Sequence, residues 1–271
     1  AIAQAVMGTG ERMGFGSKVE AGSVLYVDCE QSHFDFWQLC NKTAQGSPRF
    51  HGYHATGLAP QATKELITLA VMHCENLKAV IVDGYGDLVN TVNDEMECRE
   101  TVRWLMSLAA ENQLALIGIL HLNPGSTEKT RGHLGSELDR KRETPIQVDV
   151  DPDGVTRTIY TPVARHKPIF KNDGVRIQWD DEAHGFIEVG QSLGQLKNEE
   201  KREELICTLR GVMAETESTE WKHGALKETI MAVEKCKERT ARTRIKDMQK
   251  HGILVFSGPK GGYVSKISNG N

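Results

Sequence analysis

Residues 79–88 read Ala-Val-Ile-Val-Asp-Gly-Tyr-Gly-Asp-Leu, and the first five decide the fold. Four apolar residues in a row, with no polar alternation, describe a strand buried on both faces, as the strands of a parallel sheet are. The run stops at an Asp followed by Gly, which delivers a carboxylate to the strand's carboxyl end. Two other runs have the same character: Val-Leu-Tyr-Val-Asp at 24–28 and Leu-Ala-Leu-Ile-Gly-Ile-Leu-His at 114–121. Helical patterns lie around them at 34–44, at 60–74 with Pro60 in the first turn, and at 94–112. Strands alternating with helices predict an α/β fold, a mostly parallel sheet flanked by helices. Residues 50–54 read as a further, weaker strand.

After Thr144 the pattern changes. Residues 146–150, 156–163, 175–179 and 185–189 read as strands, with Asp-Gly turns at 153–154 and 173–174, so an antiparallel extension of the sheet is expected. Residues 191–198 turn polar and Gly/Gln-rich and read as a linker. The tail then reads helix at 199–214, helix at about 221–235 and helix at about 240–251. A two-strand ribbon follows, 253–256 and 263–267, joined by Ser-Gly-Pro-Lys-Gly-Gly. The expected domains are therefore 1–190 and 199–267.

Size and composition agree with two domains. The chain has 271 residues, 39% hydrophobic and 26% charged, an ordinary globular balance that excludes wholesale disorder and fibrous proteins. Its longest apolar run, 114–120 broken only by Gly118, is far below the ~20 residues of a membrane helix. Six cysteines occur without a Cys-x-x-Cys pair, a pattern of reduced thiols that predicts a cytoplasmic location and no zinc site. His51 and His54 have no acidic or Cys partner nearby in sequence, and no metal site is expected there. Trp37 and Trp104, on helices, are expected in the core, and Cys29 is expected to be a packed thiol.

Charge is unevenly spread. From Lys197 to the end there are 15 basic and 11 acidic residues, against 18 and 26 before it. Residues 235–271 alone hold 9 basic and 2 acidic, either a polyanion-binding surface or a solvated charged face. Three helices followed by a ribbon resemble a winged helix-turn-helix domain, a class that binds DNA or protein. In the third helix Ala241, Ile245 and Met248 share one face. Arg239, Arg242, Thr243, Lys246 and Lys250 project from the others, with Arg242, Lys246 and Lys250 in one i, i+4 row. A buried stripe opposite a basic row is what docking in a DNA major groove needs. Lys260, at the ribbon's tip, is placed to meet an adjacent phosphate.

The candidate chemistry sits at strand ends, where ligands of open α/β sheets gather. Asp83 closes one strand, and Glu30 follows Asp28, which closes another. A strand-terminal Asp can orient Mg²⁺-bound water, and a nearby Glu can polarise an attacking water. Next in order come a strand ending His121-Leu-Asn123 and then Arg131-Gly-His-Leu-Gly-Ser136.

This series resembles the RecA-like ATPases, most closely the RepA-type hexameric helicases, over roughly residues 1–190. The resemblance implies that Glu30 activates the water attacking the γ-phosphate of ATP and that Asp83 holds Mg²⁺ through water. It implies that His121 and Asn123 sense the γ-phosphate. Residues 131–136 fall where the family carries an Arg-Gly-Ser segment, here with His-Leu inserted, which places Arg131 and Ser136 near the nucleotide. Arg165 and Lys167, at the end of a late strand, fall where related enzymes reach a neighbouring subunit's nucleotide, although the Lys-x-Arg order is reversed. No Gly-x-x-x-x-Gly-Lys-[Ser/Thr] occurs in the sequence. Residues 125–130 lack the glycine before Lys129, and residues 14–18 have Ser and Lys in the wrong order. Residues 1–7 read like the helix that follows such a loop in the family, so the expectation is that the sequence starts just downstream of one.

The function expected is an ATP-dependent, DNA-acting protein of replication or mobile-element maintenance, a homo-oligomer (hexameric ring or filament) that hydrolyses ATP between subunits. The alternative is a nucleotide switch or DNA-binding adaptor that does not hydrolyse ATP and uses the tail domain.

Overall fold

The computed structural model describes residues 1–18, 20–122, 130, 132–258 and 262–267. Two compact units are distinguished. The first comprises Ala1–Arg157, Thr161–Pro168 and Ile177–Glu188, and the second Thr158–Tyr160, Ile169–Arg176 and the chain from Val189 onward.

The elements of the first unit follow the apolar runs. Helix α1 (Ile2–Met7) leads to strand β1 (Ser23–Asp28), buried along its whole length. Then come α2 (His33–Ala44), β2 (Phe50–His54), α3 (Pro60–His73), β3 (Leu77–Asp83), α4 (Glu95–Asn112), β4 (Ala115–Ile119) and α5 (Gly132–Lys141). Their boundaries have local causes. Ser32 and Asp94 cap α2 and α4 by accepting the backbone N–H three residues on, and Pro60 starts α3 where its missing N–H costs nothing. The four strands form one parallel sheet in the order β2-β1-β3-β4.

Alternation along the buried strands divides them between two cores. Val24, Tyr26, Ala79 and Ile81 face Ala3 and Met7 of α1, with Phe36 and Leu39 of α2 half-buried beside them. Leu25, Val27, Val80 and Val82 face Ile67, Ala70 and Val71 of α3 and Leu105 and Leu108 of α4. Helices thus cover both faces of the sheet. Each fully buried aliphatic side chain there contributes about 1.5–3 kcal/mol. Helix α5 has no counterpart among the sequence-based expectations: Gly132 and Gly135, two weak helix formers within its first four residues, mask its start. Its Leu134 packs with Val89, Cys98 and Val102, and the Leu134 N–H donates to the Val92 carbonyl at 3.2 Å.

Strands β5 (Gln147–Val150), β6 (Arg157–Tyr160), β7 (Val175–Asp180) and β8 (Gly185–Glu188) form a sheet of their own in that order, with β7 and β8 antiparallel. The expected extension of the parallel sheet is therefore a separate sheet. Trp37 also departs from expectation. It is 57% exposed, because α2 sets Phe36, Leu39 and Cys40 against the sheet and turns Trp37 outward. Trp104 is half-buried against the α3–α4 core.

In the second unit α6 (Leu193–Thr216) begins within the stretch expected to be linker, fixed by a capping box between Ser192 and Gln195. Strand β9 (Glu220–Trp221), α7 (His223–Val233), α8 (Glu238–Lys250), β10 (Leu254–Phe256) and β11 (Tyr263–Ser265) follow. The sheet order is β10-β11-β9, all antiparallel, so the expected ribbon gains a third strand. Leu205, Leu209 and Val212 of α6, Leu226 and Ile230 of α7, and Ala241, Ile245 and Met248 of α8 enclose one core.

Candidate functional site

Strands β1 and β3 are neighbours in register, so Asp28 at the end of one faces Asp83 at the end of the other. The Cys29 N–H donates to the Asp83 carbonyl at 3.0 Å and locks the two ends together. Asp28, fully buried, accepts on Oδ1 from the backbone N–H groups of Glu30 (3.0 Å) and Gln31 (2.8 Å). That turn fixes the backbone from which Glu30 projects. The Tyr26 hydroxyl lies 2.9 Å from Asp28 Oδ2 and 3.0 Å from Asp83 Oδ2. Gln31 Nε2 donates to Asp83 Oδ2 at 3.4 Å.

Electrostatics at this end of the sheet run one way. Burial raises the pKa of Asp83, and the charges of Asp28 and Glu30 raise it further, against hydrogen bonds from Tyr26 and Gln31. Burial, then Glu30, raises Asp87. Burial, then Asp83, raises Tyr26. The Cys29 thiol is pushed up to about 12 by burial and by the surrounding carboxylates, which leaves it protonated and inert, the packed thiol expected.

Two glycines make room for these side chains. Gly84 has φ +97°, and a Cβ there would lie 2.7 Å from Asp87 Oδ2 and 3.0 Å from Glu30 Cγ. Glu30 and Asp87 therefore flank a backbone turn that only glycine adopts without strain. At Gly118 in β4 a Cβ would fall 2.0 Å from the Tyr85 ring, so the residue two past Asp83 packs flat on the neighbouring strand.

Beyond β4, His121 Nε2 stands 3.3 Å from Glu30 Oε2. Glu30, Asp87 and His121 share a cleft of about 580 Å³, walled by Cys29, Gly86, residues 89–92, Ile119 and Leu120. Of the residues singled out from sequence, the structure brings Glu30 and His121 together, with Asp83 behind them at the strand end. Ser136 lies on α5, exposed, its hydroxyl donating to the Gly132 carbonyl at 3.2 Å. Arg165 and Lys167 are exposed in the stretch after β6, which ends at Tyr160, so they are not at a strand end. The Arg165 N–H donates to the Glu143 carbonyl. Asn123, Arg131 and Lys260 lie outside the described residues. Sequence reasoning missed Tyr26 and Gln31 as partners of Asp83. The strand-terminal Asp in two adjacent runs was a signal, but its meaning depends on register.

On α8, Ala241, Ile245 and Met248 are buried as expected. Arg239, Arg242, Thr243, Lys246 and Lys250 are exposed. They are not equivalent, because Arg242 is paired with Glu238. Half-buried Arg244, of the same helix, is tied to Glu204 and Glu234.

No protein-family model matches the chain, and no curated protein matches it. Among solved structures similar to it is a crystal structure of the RadB recombinase, 15% identical, covering 62% of this chain and 80% of that one, with a TM-score of 0.44.

Proposed function

We propose that residues 1–190 form a RecA-like ATPase unit of the RepA-type helicase kind and that residues 199–267 form a DNA-binding winged-helix domain, residues 191–198 joining them. The supporting observation is that Glu30 and His121, each two residues past the end of its strand, meet at 3.3 Å in a cleft of about 580 Å³, with Asp83 at the end of the parallel strand between theirs. Ligand sites of open α/β sheets lie beyond these strand ends. The donor set fits ATP with Mg²⁺: carboxylate oxygens suit that ion, and Asp83, desolvated among like charges, gains most from a cation. Bound there, ATP and Mg²⁺ would supply the phosphoryl group and its charge neutralisation.

The chain's own residues do the rest. Glu30 takes the proton of an attacking water, and His121 Nε2, when protonated, donates to Glu30 and holds its carboxylate on the cleft wall. Asp28 fixes the backbone from which Glu30 projects. Asn123, Arg131 and Ser136 are assigned to the nucleotide, and Arg165 and Lys167 to a neighbouring subunit's nucleotide in a homo-oligomeric ring or filament. Arg239, Arg242, Thr243, Lys246, Lys250 and Lys260 are assigned to DNA.

The test is ATP hydrolysis with and without DNA. Glu30→Gln should lower the DNA-stimulated rate by about 10²–10⁴-fold, the usual worth of a general base, while DNA binding persists. A second reading is favoured by the exposed cations of α8: a DNA-binding adaptor that does not hydrolyse ATP. It is the better one if the wild-type protein binds DNA without hydrolysing ATP.

A further inference from the structure

Helix α8 carries one carboxylate in its first turn among the cations of its exposed side. Glu238 is exposed, and three hydrogen bonds converge on its Oε1: from Arg242 Nε at 3.0 Å, Arg242 Nη2 at 2.6 Å and Lys227 Nζ at 3.0 Å. Lys227 comes from α7 and its side chain is only 21% exposed, so one of the two cations is anchored in the body of the domain. The hydrogen bonds from Lys227 and Arg242 hold Glu238 below the usual carboxylate range. The group is therefore a pure acceptor, pre-positioned by two cations, and none of the three bonds uses Oε2.

Helices that dock in a major groove present their N-terminal residues to base edges. A bare carboxylate there would be repelled by phosphates, and the two cations remove that cost. What remains is an acceptor looking for a donor. Guanine offers N7 and O6, and thymine O4, all acceptors. Adenine's amino group sits between two acceptors, its own N7 and thymine O4, whereas the cytosine amino group has an acceptor, guanine O6, on one side only. We propose that Glu238 is a specificity-determining residue, its Oε2 accepting a hydrogen bond from the cytosine amino group in the major groove while Arg242 and Lys227 hold the carboxylate in place.

This inference rests on the docking of α8 in DNA proposed above, and the experiment separates the two. Duplexes are selected from a randomised pool with the full chain, and affinities are measured for the best duplex and for that duplex with each pair replaced. The wild-type protein should prefer cytosine at one position by roughly 5- to 150-fold. Glu238→Gln and Glu238→Ala should both lose that preference, keep the others and bind unselected duplex at least as well as wild type. A purely structural Glu238 would shift the melting temperature and leave base preference unmoved. Cytosine preference that survives in both variants, or its absence in a wild-type protein that binds DNA, overturns the assignment of Glu238. A wild-type protein that binds no duplex overturns the docking of α8 itself.

Discussion

Tyr26 has one phenolic proton and two carboxylates within reach of it, Asp28 at 2.9 Å and Asp83 at 3.0 Å. It serves one of them at a time. Asp28 has two backbone N–H donors besides, so Asp83 is the less well provided, and burial is the first cause of its raised pKa. A carboxyl whose pKa is higher folded than unfolded contributes stability below its unfolded value, near 3.9, and loses it as pH rises through the folded value. At neutral pH the charge of Asp83 is thus a cost to the fold. Asp83→Asn keeps an acceptor for Tyr26 and removes the charge. The expected gain at pH 7 is about 1 kcal/mol, shrinking toward zero below pH 4. Urea unfolding at the two pH values checks it, and a variant less stable than wild type at pH 7 contradicts it. Such a cost suits a group waiting for a cation. The sequence shows Asp28 and Asp83 each at the end of an apolar run, but their sharing of Tyr26 depends on cross-strand register, which no single run contains.

Elements were legible where burial dictates them. Four apolar residues in a row can satisfy their backbone and bury both faces only inside a sheet, so β1 and β3 stood out, and the i, i+3, i+4 stripe of α8 set Ala241, Ile245 and Met248 inward. Strand β9 was not legible. Two residues carry no period, and Glu220–Trp221 is a strand only because Val264 and Tyr263 of β11 pair with it. The start of α6 was missed because its polar first turns, exposed to water, look like linker. Helix α8 is also held by charge. Arg244, only 16% exposed, donates from Nε to Glu234 at 3.1 Å and pairs with Glu204 on α6, and Thr208 donates to the other oxygen of Glu234. Removing the guanidinium leaves Glu234 half-buried with one donor. Arg244→Met should cost about 1.5–3 kcal/mol. Pairing it with Glu234→Leu should restore part of that loss, because an ion pair replaced whole costs less than one broken. Thermal unfolding of both variants measures the difference, and a double variant no more stable than Arg244→Met rules out a stranded charge as the cause.

At the scale of the molecule the charge asymmetry becomes a test of what the second unit does. A net excess of cations after residue 196 does not by itself distinguish a DNA surface from a solvated one, but the structure separates the cations that are free to meet phosphate from those already engaged. Arg242 faces Glu238, and Arg244 faces Glu204 and Glu234, so their charges are compensated within the protein. Lys246 and Lys250 are exposed on the same helix. Each phosphate neutralised by a protein cation releases counterions and adds about 0.9 to the slope of log K against log salt. Lys246→Gln and Lys250→Gln should each flatten that slope by about one and weaken binding to all duplexes alike. Sequence spacing, which puts Arg242 in the same row, predicts the same loss for Arg242→Gln. The structure predicts a smaller one, because Glu238 would otherwise repel the phosphate that Arg242 attracts. Titrations from low to moderate salt decide between them. Equal slopes for all three variants would mean that the Glu238–Arg242 pair opens on DNA, and an unchanged slope for Lys246→Gln and Lys250→Gln would take α8 off the phosphate backbone.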